Sequence, residues 1–159
     1  MNKLSKRLLL TLFILILGIG VFAADQDDAL KFFNSFIYAS NTYSPTVPEL
    51  YSDNAKIIRQ VVKPDGSLVN VPFSIDSYRS QMKFSGKMAK MKKYKNSYSD
   101  VKISKVPNGY KIDSLRKPSL SDYKLKSSMV VQKQPNGKWL IVEEMMQTKE
   151  QIFLRYAKK

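Results

Sequence analysis

The stretch YSDVKISKVPNGYKIDSLRKPSLSDYKLKSSMVVQKQPNGKWLIVEEMMQ, Tyr98 to Gln147, decides the fold of this chain. It holds four strand-like runs: Tyr98 to Val106, Gly109 to Arg116, Tyr123 to Gln132 and Lys138 to Gln147. Two of the connections, Pro107-Asn108-Gly109 and Pro135-Asn136-Gly137, contain the Asn-Gly pair that supplies left-handed backbone to a tight hairpin. Residues 116–122, which include Pro118, make a longer link. Such a succession predicts a curved antiparallel meander.

Upstream, Leu30, Phe33, Phe36, Ile37 and Ser40 recur at helical spacing between Asp27 and about Tyr43, with Asp27 and Asp28 where the helix dipole favours acids. Ser44-Pro45 and Val47-Pro48 end that helix, and Pro48 opens a short helical turn to Tyr51. Ala55 to Val62 reads as a strand, Pro64-Asp65-Gly66 as its turn, and Ser67 to Val71 as a return strand that Pro72 keeps at an edge. Ser74 or Asp76 caps a second long helix running to about Met91. Its expected apolar positions are Ile75, Tyr78, Met82, Met88 and Met91, and Arg79, Lys83, Lys87 and Lys90 line another face. After Gln147 a short helix through Ile152, Phe153 and Tyr156 is expected.

The N-terminus has the three parts of a secretory signal: Lys3, Lys6 and Arg7, an apolar run from Leu8 to Val21, and the small-residue exit Val21-Phe22-Ala23. The expected organisation is a signal peptide over 1–23 cleaved after Ala23, a domain over 24–147 and a basic tail over 148–159, in the periplasm or secreted. The leader carries three cations and no acid, so its loss leaves 24 of the 27 Lys and Arg against 13 Asp and Glu, a net charge of about +11. The remaining length suits one domain with its own core.

There is no histidine and no cysteine. The first absence removes the commonest general base and metal ligand, and the second removes thiolate chemistry, disulfides and most structural zinc sites. No metal site, cofactor or catalytic residue is expected. Any catalysis would fall to carboxylates, tyrosines or lysines.

The order of these elements, together with Leu50-Tyr51-Ser52-Asp53-Asn54-Ala55 and Asn136-Gly137-Lys138-Trp139-Leu140-Ile141, resembles the nuclear transport factor two-like superfamily, a cystatin-like α+β cone. The resemblance spans roughly Asp27 to Gln147. It implies an α+β fold with N-terminal helices packed on a strongly curved antiparallel sheet, a cone-shaped pocket between them, and a homodimer through the outer sheet face. The superfamily includes ketosteroid isomerases, dehydratases and proteins that only bind, so the fold leaves function open. The isomerase carboxylates would fall near Arg59 and Met129, neither of which can act as base or acid donor, and the dehydratases rely on histidine. Asp53 is expected as a cap before the first strand. Glu143 and Glu144, adjacent on a strand, must point to opposite faces.

Strand alternation puts Ile57, Arg59 and Val61 on one face, and Leu125, Ser127, Met129 and Val131 on another. With Tyr78 and Met82 from the second helix these are the candidate pocket residues. An apolar cavity containing a guanidinium suits a small apolar or amphipathic anionic ligand. The alternative is that Arg59 pairs with an acid of its own chain and the protein is an interaction module. Lys83, Lys87, Lys90, Lys92, Lys93 and Lys95 form a candidate patch for an anionic envelope surface. No nucleic-acid motif is present, and nucleic acid is not an expected partner. An isomerase-like or dehydratase-like enzyme is the third reading.

Overall fold

The computed structural model describes residues 25–157, so the expected leader and the last two residues lie outside the described residues. Helix α1 covers residues 25–41. A 3-10 turn, Val47–Leu50, leads into strand β1 (Tyr51–Val62), which is followed by β2 (Leu68–Phe73) and helix α2 (Ile75–Met91). The meander is β3 (Asn96–Val106), β4 (Gly109–Pro118), β5 (Leu125–Lys133) and β6 (Trp139–Thr148), and a second 3-10 turn spans Gln151–Tyr156.

The turn chemistry read from the sequence acts where expected. Asn108 takes φ 63° in the β3–β4 hairpin, Gly137 takes φ 82° before β6, and Gly66 takes φ 82° between β1 and β2. Ser74 is the cap of α2, its hydroxyl accepting from the Ser77 N–H at 3.2 Å. Gly109 answers to a different need. A Cβ there would stand 2.2 Å from the Val131 carbonyl oxygen, so the backbone of β4 meets β5 too closely for any side chain.

The six strands form one sheet in the order β2-β1-β6-β5-β4-β3. Hairpins and short links make four of its five seams antiparallel, while β1 and β6 run parallel. No hairpin constrains that pair, because most of the chain lies between them. Pairing shifts within β1 between Tyr51 and Lys56, and within β3 between Ser99 and Lys102, where Asp100 has φ 54°. Such bulges bend strands and sharpen their twist. The sheet stays open, with β2 and β3 as its edges.

Helix α1 presents Ala29, Phe33 and Phe36 to the core. Phe33 meets Tyr98 of β3 edge to face at 5.5 Å, and Phe36 meets Tyr51 of β1 at 6.3 Å. Its last residue, Asn41, donates to the Asn96 carbonyl at 2.9 Å and accepts from the Asn96 N–H at 2.8 Å, fastening the helix end to the start of β3. In α2, Ile75, Tyr78 and Met82 pack on the core, whereas Met88 and Met91 are exposed. Met88 follows Met82 by six residues, about a third of a turn out of phase at 3.6 residues per turn, so the two do not share a face. Asp53 is not a cap: it lies in β1, exposed, and receives Arg79 Nη1 at 2.7 Å. The segment expected as a tail packs on the sheet, with Phe153 and Tyr156 at 5.8 and 5.6 Å from the Phe73 ring.

Candidate functional site

One row of paired residues crosses the whole sheet: Phe73, Ile57, Glu144, Met129, Ile112 and Ile103, from β2 through to β3. Five of the six are apolar. Glu144 is the exception, with a side chain 0% exposed, and it is the one buried acid among the described residues. Its neighbour Glu143 points the other way and pairs with Lys56 at 2.9 Å, as strand alternation requires.

Three side chains satisfy Glu144. Arg59 Nη1 donates to Oε1 at 2.8 Å, the Tyr78 hydroxyl donates to the same oxygen at 3.1 Å, and the Tyr51 hydroxyl donates to Oε2. Arg59 Nη2 in turn donates to the Tyr78 hydroxyl at 2.5 Å, and the guanidinium carbon lies 4.8 Å from the Tyr78 ring centre. Tyr51 and Tyr78 meet edge to face at 5.4 Å. Burial, and then the charge of Glu144, hold the Tyr51 hydroxyl well above its ordinary pKa. Burial pushes Tyr78 up to about 12, against the opposing pull of Arg59. Burial opposes the charge on Arg59, but Tyr78 and Glu144 outweigh it and raise its pKa. The ensemble is one neutral, closed group: a carboxylate with a cation and two phenols that keep their protons.

The expected pocket residues gather around this knot. Ile57 and Met129 flank Glu144 in the pairing register, Val61 and Val131 are fully buried, Ser127 is buried, Leu125 is half-buried, and Tyr78 and Met82 come from α2. The structure therefore brings the β1 and β5 faces together on either side of β6. Arg59 is inside but already carries a carboxylate partner. Tyr51 was read only as part of a motif, and its place at the start of β1, sharing a face with Ala55 and Ile57 across the bulge, was not legible without the register.

A second arginine, not singled out by the sequence reading, behaves differently. Arg116, near the end of β4, is 7% exposed. Its Nη1 donates to Asn96 Oδ1 at 2.8 Å and to the Tyr94 hydroxyl at 3.3 Å, and its Nη2 donates to the Gln147 carbonyl at 3.0 Å. All three acceptors are neutral. Its Nε has no partner, and no carboxylate of the described residues lies within ion-pair distance. The alternation Tyr110, Ile112, Ser114, Arg116, all buried, was available as a signal for its inward position.

Arg116 lines a cleft of about 340 Å³ between the end of α2, the β4–β5 link and the end of β6. Met88, Leu120 and Pro118 give the cleft apolar walls, and Tyr94 and Tyr123 give it aromatic ones. Lys92 and Glu150, both exposed, also stand in its lining, so that with Arg116 the cleft carries two cations and one acid. Lys83, Lys87, Lys90, Lys92, Lys93 and Lys95 are all exposed and make no ion pair with the described residues. Among the described residues no three acidic side chains gather as a metal site.

Solved structures share this architecture. A protein described as nuclear transport factor two-like and of unknown function, from Pseudomonas putida, superposes with a TM-score of 0.61 at 9% identity, over 79% of this chain and 87% of the other. Another from Novosphingobium aromaticivorans, described as nuclear transport factor two-like with a cystatin-like fold, gives 0.58 at 6% identity, over 85% and 89%. A putative ketosteroid isomerase from Shewanella frigidimarina gives 0.54 at 16% identity, over 74% and 93%. No protein-family model matches the chain, and no curated protein matches it in sequence. The chain has the nuclear transport factor two-like, cystatin-like fold.

Proposed function

We propose that this is an exported, non-catalytic binding domain that holds a small amphipathic anion, a carboxylate or phosphate with a short apolar body. The observation that carries the reading is Arg116, a buried guanidinium whose Nε has no hydrogen-bond partner and which has no counter-ion among the described residues, set in a cleft with apolar and aromatic walls. Burying a charge without a partner is costly, and an anionic ligand would offset that cost. Arginine suits the task because it stays charged and its planar fork matches carboxylate and phosphate oxygens. Arg59 is the weaker anchor, since Glu144 already neutralises it.

A catalytic role finds less support. Glu144 is the candidate base, but both its oxygens accept hydrogen bonds from the chain's own donors, and its side chain is fully enclosed. A general base must reach the proton it removes.

The test is a titration of the mature protein with decanoate and with decanol, followed by native mass spectrometry and intrinsic fluorescence. Decanoate should bind about tenfold or more tightly than decanol, as expected for a charge-assisted hydrogen bond. Arg116→Met should bring decanoate down to the alcohol, and Leu120→Glu, at an exposed position on the cleft wall, should also weaken it. Equal binding of acid and alcohol, or decanoate binding indifferent to both substitutions, removes the reading.

A further inference from the structure

Helix α2 has two apolar faces where a surface helix needs one. Ile75, Tyr78 and Met82 meet the core. On the far side Phe84, Met88 and Met91, at i, i+4 and i+7, are 79%, 45% and 77% exposed. Among the described residues nothing covers this second stripe.

Charge follows the stripe closely. At about 100° per residue, Lys83, Lys87 and Lys90 fall along one flank and Lys92 along the other. From Ser77 to Lys95 there is no acid, and of the seven cations in that segment only Arg79 is ion-paired among the described residues, with Asp53. The helix dipole favours cations at this C-terminal end, which accounts for one or two lysines and not for six. An apolar ridge bordered by lysines on both flanks is the pattern of a helix lying in a lipid headgroup layer, its apolar side chains dipping inward and its ammonium groups at the phosphates.

We infer that α2 docks this protein onto an anionic bilayer surface, with Phe84, Met88 and Met91 entering the headgroup boundary and Lys83, Lys87, Lys90 and Lys92 meeting lipid phosphates. The occupant is chosen by charge and shape. A second copy would bring one lysine array against another, which is repulsive. The stripe lies on the outward side of a single helix, and such a face suits a deformable fluid surface without a preformed groove. The contact is peripheral: among the described residues no helix is long and apolar enough to cross a membrane. The inference stands on the stripe and its lysines, so it is independent of the Arg116 cleft, although Met88 borders both.

The experiment is co-flotation of the mature protein with phosphatidylcholine vesicles, with and without phosphatidylglycerol, over a series of salt concentrations. Binding should require the anionic lipid and fall steeply with salt. Phe84→Ser with Met91→Ser should lower the partition constant about tenfold or more. Lys87→Gln and Lys90→Gln should each cost roughly fivefold. These side chains are exposed, so the variants should keep the parent's circular dichroism and melting temperature. Arg116→Met should float with the vesicles as well as the parent does. Absence of binding to anionic vesicles at low salt overturns the inference, as does binding indifferent to the Phe84 and Met91 changes. So does a dimer in analytical ultracentrifugation that Phe84→Ser dissolves, because the stripe would then belong to a second copy. Loss of flotation in an Arg116→Met protein that keeps the parent's circular dichroism and melting temperature would also overturn it, by moving the contact to the cleft.

Discussion

Arg59 and Glu144 lie on neighbouring parallel strands with their charged atoms 2.8 Å apart, in a layer whose other members are almost all apolar. Removing one partner leaves the other charge buried and alone, so Arg59→Met or Glu144→Leu should each cost about 3–5 kcal/mol. The double variant should lose far less than the sum, because two apolar side chains suit this layer. Urea unfolding of the four proteins measures the coupling, and simple additivity would show that the pair is not the unit described.

The two phenols attached to Glu144 give the fold an alkaline limit. Tyr78 has its pKa pushed up to about 12 by burial, while in the unfolded chain it returns to about 10. Between those values the unfolded state has released a proton that the native state still holds, so stability falls as pH rises. The contribution is complete below about pH 10 and is lost as pH rises through 12. Tyr51 is raised in the same direction, by burial and the charge of Glu144, and adds to the loss at alkaline pH. Urea midpoints across this range should decline less steeply in Tyr78→Phe; parallel curves for parent and variant would remove Tyr78 as the cause.

Gly109 and Gly137 should respond differently to alanine. At Gly109 the new methyl meets the Val131 carbonyl, backbone that cannot step aside, and overpacking of this kind costs about 1–3 kcal/mol. At Gly137 space is open but φ is 82°, so the cost is conformational, about 1–2 kcal/mol. The Gly109 variant should also shift amide resonances on β5, and the Gly137 variant should leave them in place. A Gly109→Ala protein as stable as the parent would contradict the close approach.

The proposed export makes a prediction about covalent structure. In a host with a secretory pathway, the mature protein should begin at Ala24, and mass spectrometry of the purified chain reads this directly. Retention of Met1 or of the apolar run from Leu8 to Val21 would turn the expected leader into an anchor.

Much of the fold was legible because its signals are local. Two Asn-Gly turns, a Pro-Asp-Gly turn and a serine cap each act within a few residues, and the elements form where those residues stand. The parallel seam between β1 and β6 was not legible, since no residue near Tyr51 or Glu144 encodes a partner so distant in sequence. The site divides along the same line. Alternation showed that Glu143 and Glu144 must face opposite ways, but not which of them enters the core. That choice rests on Ile57 and Met129 flanking Glu144, which only the assembled sheet supplies. Arg116 was hidden for a simpler reason: an arginine two residues before a proline looks like the end of a strand meeting solvent.

The central place of β6 governs when this sheet can exist at all. The β1–β2 hairpin is made before the β3–β4–β5 meander, yet within the sheet neither touches the other except through β6, which is made after both. Until Trp139 to Thr148 arrives, the sheet is in two halves and helix α1 reaches both, through Phe36 on Tyr51 and Phe33 on Tyr98. Completion waits on contacts between distant segments, the kind that form slowly. A nascent chain of this design cannot join its two half-sheets before β6 is made, so the sheet is completed only after all its other strands exist.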